Sequence, residues 1–70
     1  VLKILVSVGK KVRALRAARD LSQEELAEHA NLDRTYISGI ERGKRNVSIV
    51  NLYKIANALR VTASELLRFK

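Results

Sequence analysis

The sequence predicts an all-α domain of five short helices, and three observations carry that reading. Apolar residues recur every three or four positions, and no stretch alternates with period two over a useful length. Capping residues stand ahead of the periodic stretches at Ser22, Asp33, Ser48 and Thr62. The chain has 70 residues, 47% of them apolar, with no Pro and no Cys, so it predicts one small core without disulfides or a linker.

The first helix is expected from about Val8 to Arg19, with Val8, Val12, Leu15 and Ala18 at helical spacing. Residues 1–7 read as an N-terminal arm or helix extension, and residues 8–70 as the domain proper. Ser22-Gln23-Glu24-Glu25 is a capping box: the hydroxyl takes an orphan amide and Glu25 reaches back. It opens a second helix, Gln23 to Ala30, whose inner face is Leu26, Ala27 and Ala30. Asn31 follows where a left-handed residue is wanted, and Asn tolerates that conformation better than most. Leu32 returns to the core, and Asp33 caps a third helix, about Arg34 to Arg42, with Ile37 and Ile40 inward and Gly43 ending it. Ser48 caps a fourth helix with Ile49, Leu52, Ile55, Ala56 and Leu59 inside. Thr62-Ala63-Ser64-Glu65 reads as a second capping box, opening a fifth helix with Leu66 and Leu67 inside.

Charge narrows the function. There are 14 Lys+Arg against 7 Asp+Glu, a formal net charge of +7, and the two signs fall in blocks. Lys3, Lys10, Lys11, Arg13, Arg16 and Arg19 precede any acid. Asp20, Glu24, Glu25, Glu28 and Asp33 then follow without a cation, and Arg34, Arg42, Lys44 and Arg45 restore the positive sign. Such segregation favours a polyanion partner. No apolar run approaches the about 18 residues of a membrane span, and Ile4-Leu5-Val6 is too short for a signal-peptide core. The expected site is therefore cytoplasmic. The arginines are spread over several short helices rather than along one amphipathic face, which argues against a membrane surface.

Catalysis finds no support. His29 is the one histidine, and Ser22 or Ser38 with His29 and Asp33 does not make a triad, because helical spacing aims Ser38 away. There is no phosphate-cradling Gly loop, no paired catalytic carboxylates and no metal cluster, so neither enzyme activity nor cofactor is expected. The second and third helices have a different logic. Ala27 is small where two helices would cross closely, Asn31 makes a tight turn, and Ile37 and Ile40 lock the third helix on the second. Two short helices so joined make a helix-turn-helix, whose second helix lies exposed to enter the DNA major groove.

The stretches Leu21-Ser22-Gln23-Glu24-Glu25-Leu26-Ala27 and Ile37-Ser38-Gly39-Ile40-Glu41-Arg42-Gly43-Lys44-Arg45-Asn46, with Leu52, Ile55, Ala56 and Leu59, resemble the phage repressor/Cro (Xre) family. The match covers about residues 9–67, and within it Asp33 to Asn46 looks most like the controller proteins of restriction–modification systems. The resemblance implies a compact five-helix domain of the lambda-repressor-like DNA-binding type. It also implies a symmetric homodimer and transcriptional regulation from palindromic operator DNA. It puts Arg34 and Thr35 at the positions that face base edges, where Arg can fork onto guanine and a Thr methyl can touch thymine. Tyr36 either lies along DNA or packs on the domain, and Ser38 either reads a base or bonds back to its own helix.

Gly39 departs from the usual polar residue, so either DNA comes close there or a bulky neighbour needs the room. Ser22 and Gln23 match the family's phosphate clamp at a helix N-terminus. The basic loop Arg42, Lys44, Arg45 and Asn46 is placed to grip the DNA backbone or reach an adjacent base. Family matching pairs Arg16 with Glu41 as an internal ion pair, and in some relatives the surface matching Glu24, Glu25 and Glu28 touches RNA polymerase. The dimer surface is expected on the last two helices, at Val50, Tyr53, Val61 and Phe69. The same fold also serves antitoxins that repress their own operon and bind a toxin protein, which is the competing reading.

Overall fold

The computed structural model describes residues 2–69; Val1 and Lys70, the outer ends of the two expected ranges, lie outside the described residues. Five helices follow in order: α1 (Lys3–Ala18), α2 (Gln23–Ala30), α3 (Arg34–Glu41), α4 (Ile49–Leu59) and α5 (Ala63–Leu66), with no strand among the described residues. They fill a body of 26 × 22 × 21 Å in which α1 packs on α3 and α5, α2 on α3 and α4, and α4 on α5.

Helix α1 begins at Lys3 rather than near Val8, because half-buried Leu5 extends the apolar line of Val8 and Val12 by one more turn. Its other end corrects the expected stripe: Leu15 is half-buried but Ala18 is exposed. Ala18 stands six residues beyond Val12, about 120° round the helix, and so falls at the edge of the buried face. Halfway along, α1 touches α3 backbone to backbone. A Cβ on Gly9 would overlap the Ile40 carbonyl and come within 2.9 Å of the Glu41 carbonyl oxygen.

The inner faces of α2 (Leu26, Ala27, Ala30) and α3 (Ile37, Ile40) are buried as the periodicity predicts. In α4, Ile55, Ala56 and Leu59 are buried and Leu52 is half-buried, but Ile49 is 77% exposed. It is the first helical residue, at the rim of the core, and Val47 in the preceding loop takes the inward place. Helix α5 has a single turn, in which Leu66 is buried and Ala63 packs on the rim of the core, and Leu67, the next residue, is exposed.

The caps are partly as expected. The Ser22 box is complete, with Glu25 N donating to Ser22 Oγ at 3.0 Å and Ser22 N to Glu25 Oε1 at 2.8 Å. Ser48 accepts from Asn51 N at 3.1 Å. Asp33 holds the N-cap position of α3, but its side chain makes no capping bond, and its carbonyl alone closes the first turn by accepting from Tyr36 and Ile37. The Thr62 box is half made. Thr62 Oγ1 accepts from Glu65 N, while the Glu65 carboxylate turns to Lys11 at 3.3 Å and Arg68 at 3.6 Å.

Four helices stop in the same way. Asp20, Asn31, Gly43 and Arg60 have φ of 57°, 57°, 71° and 59°, and the residue after each donates back to the last turn. Leu21, Leu32 and Val61, which follow three of these residues, fold onto the core.

Candidate nucleic-acid interface

The α2–α3 corner determines what α3 presents. Asn31 in the left-handed region lets Leu32 N donate to Ala27 O at 2.8 Å, which brings the chain back sharply into Asp33 and α3. Ile37 and Ile40 then anchor one side of α3 to the core, and Arg34 and Thr35 are left exposed on its first turn. Arg34 has no carboxylate partner among the described residues, although it lines one shallow depression with Glu24, Glu25, Glu28, Ala27 and Leu32. A cation at a helix N-terminus is disfavoured by the helix dipole. An unpaired Arg there is available to an external anion or base edge.

The other expected site residues divide into free and engaged groups. Arg42, Lys44, Arg45 and Asn46 are all exposed and stand directly after α3. Arg42 Nε donates to Ser38 O at 3.3 Å, so its stem lies along α3. Ser38 is half-buried. Tyr36 is half-buried as well: its ring packs on the core, its hydroxyl accepts from Asn51 Nδ2 at 3.1 Å, and the Arg45 guanidinium carbon lies 5.6 Å from the ring centroid. The sequence did not single out Asn51.

Beneath this surface lies a half-buried polar joint. Arg16 Nε donates to Glu41 Oε2 at 2.6 Å, Arg16 Nη2 to Glu41 Oε1 at 3.0 Å, and Arg16 Nη1 to Leu21 O at 2.7 Å. Glu41 is 3% exposed at its side chain and also accepts from Gln23 Nε2 at 3.0 Å. One carboxylate thus ties α1, the start of α2 and the end of α3 together. The hydrogen bonds to Glu41 hold the Arg16 guanidinium above its usual range; burial works against this and the Glu41 charge adds to it. Gln23, expected as a phosphate clamp, spends one side-chain donor inside the protein. Ser22, in the same expected clamp, is exposed and also caps α2.

The acids Glu24, Glu25 and Glu28 form an exposed face on α2. Glu25 is held below the usual carboxylate value of 4.5 by hydrogen bonds from the Ser22 amide and then the Ser22 side chain. Of the expected dimer residues, Val50 and Tyr53 are exposed at 65% and 59%, alongside Ile49. Val61 is half-buried against the core, and exposed Phe69 lines one depression with Lys10, Lys11 and Ala14 of α1. Among the described residues no His, Cys, Asp and Glu cluster could hold a metal, and no helix is long and apolar enough to cross a membrane.

Comparison with known proteins agrees with this geometry. The family model described as helix-turn-helix matches residues 12–66. The control protein C.MunI of a Mycoplasma species is 55% identical over 64 residues, covering 90% of this chain and 86% of its own. The control protein C.BamHI of Bacillus amyloliquefaciens is 53% identical over 62 residues, 87% of this chain and 76% of its own. The crystal structure of the restriction-modification controller protein C.AhdI from Aeromonas hydrophila superposes with a TM-score of 0.91 at 51% identity, over 93% of this chain and 98% of that one.

Proposed function

The chain belongs to the helix-turn-helix family, and on that premise we propose that it is a sequence-specific DNA-binding transcriptional regulator, the controller of a restriction–modification system. One observation carries the reading. Arg34 and Thr35 stand free on the first turn of α3, and exposed Lys44 and Arg45 bring two cations to its other end. A helix so equipped can lay its N-terminal residues on base edges while the loop neutralises phosphates. The controller function named for the relatives supports the same assignment.

One such helix reads only a few base pairs, so the active species is a dimer that places two copies of α3 one DNA turn, about 34 Å, or a multiple of it apart. The exposed apolar residues Ile49, Val50 and Tyr53 on α4 are the surface for the second copy. The acidic face of Glu24, Glu25 and Glu28 would be repelled by phosphates and is the place for an RNA polymerase contact. Charge-swap variants there should keep operator binding and lose activation; variants that still activate would end that assignment.

The decisive experiment is selection of bound duplexes from a random pool. A palindrome with half-sites about 10 base pairs apart, or a multiple of that, is the expected result. Enrichment of no sequence, or of a single asymmetric half-site, would overturn the reading.

A further inference from the structure

Gly39 is buried on the solvent side of α3, and what covers it is another residue's side chain. The three atoms nearest to a Cβ built on Gly39 all belong to Arg45: Cγ at 2.6 Å, Nε at 3.5 Å and Cδ at 3.6 Å. The Arg45 stem therefore lies where a side chain at position 39 would start. Its guanidinium continues over the face of Tyr36, 5.6 Å from the centroid, and Asn51 holds that ring through the Tyr36 hydroxyl at 3.1 Å. The loop is pinned to the same turn, with Lys44 N donating to Gly39 O at 2.9 Å. Arg45 is exposed and has no carboxylate partner among the described residues.

Positions 35 and 39 are four residues apart and so stack on one face of a helix. Arg45 thus continues the row begun by exposed Thr35, one turn further along α3. We propose that Arg45 serves as the side chain that α3 lacks at position 39 and reads a base edge there, with Gly39 and Tyr36 as its positioning residues. A guanidinium fork suits the O6 and N7 acceptors of guanine. The face of the tyrosine ring favours the cation and limits the orientations that Arg45 must give up on binding. The proposal deepens the DNA-binding reading above and rests on it. It also moves Arg45 from the backbone contacts, where the sequence placed it, to the base contacts.

The test uses the full chain in native, Gly39→Ala, Arg45→Ala and doubly substituted forms. Ala is the better helix former, so Gly39→Ala does not weaken α3. In the free protein, NMR should show the Arg45 side-chain protons shifted by the Tyr36 ring and returned towards ordinary values in Gly39→Ala. Affinity is then measured for a duplex enriched from a random pool by the native protein and for a duplex of random sequence. Each single variant should bind the enriched duplex between about 5-fold and about 150-fold more weakly and the random duplex nearly as before. The double variant should be no weaker than Arg45→Ala, because Gly39 acts only through Arg45.

Losses that multiply in the double variant would put the Cβ of position 39 against DNA itself and overturn the role of Gly39. Equal losses on both duplexes would overturn base reading by Arg45, and unshifted Arg45 protons in the native protein would overturn the placement. A native protein that enriches no duplex overturns the DNA-binding reading and the role of Arg45 with it, and that control is read before any variant.

Discussion

Glu41 is a carboxylate 3% exposed at its side chain, and Arg16 satisfies it with two of the three hydrogen bonds it accepts. Removing the cation leaves a buried charge with only Gln23 for company, a loss of about 3–5 kcal/mol. Arg16→Ala should show that loss in urea unfolding, whereas Arg13→Ala, at an exposed position on the same helix, should stay within about 0.5 kcal/mol of native. The exposed cations separate by a different measure. Arg34→Ala should cost about 1–3 kcal/mol on the selected operator and relax preference at one base position, while Lys44→Ala should weaken all duplexes alike. Equal losses for Arg34→Ala on operator and random DNA would contradict its place among the base contacts.

Four helices end on a left-handed residue, and one of these stops sits on a residue that resists it. Arg60 occupies the left-handed region without being Gly or carrying a short polar side chain like Asn31 and Asp20, which costs roughly 1–2 kcal/mol. Gly is free of that penalty but loses more backbone entropy on folding. Arg60→Gly should therefore raise stability by about 0.5–1 kcal/mol, read as a higher denaturation midpoint with an unchanged slope. At the start of α2, the Ser22 hydrogen bonds favour the charged form of Glu25. Because its folded-state value lies below 4.5, this contribution to stability is full above the usual carboxylate range and is lost as pH falls through it. Ser22→Ala should move the Glu25 NMR titration back towards its ordinary value. The Ser22 amide stays in that variant, so the return should be partial, and an unmoved titration would mean that the hydroxyl plays no part in it.

Across the whole molecule, a net charge of +7 gathers on particular surfaces while α2 keeps an acidic one. Binding to DNA should therefore weaken steeply with salt, with a log–log slope of about −0.9 per phosphate neutralised. A salt-independent affinity would remove the phosphate contacts assigned to the loop after α3. The small body also bears on the proposed dimer. One domain of this size buries about 60% of its unfolded surface, and Ile49, Val50 and Tyr53 remain exposed, uncovered by any of the described residues.

The sequence by itself determined the helices, the order in which they come and the exposed start of α3. Periodicity and caps act over three or four residues, so Ser22-Glu25, Asn31 and the Leu26, Ala27, Ile37 and Ile40 faces were legible without any fold. The resemblance to phage repressors supplied the Arg16–Glu41 pair. What the tertiary structure decided lies where residues distant in sequence compete for one place. Lys11 draws Glu65 away from its own capping box, and Gln23 turns inward to Glu41. Tyr36 takes Asn51 as its partner, and Arg45 fills the space left by Gly39. Local spacing cannot anticipate these contacts, because each depends on which surfaces meet once α1, α3 and α4 have packed.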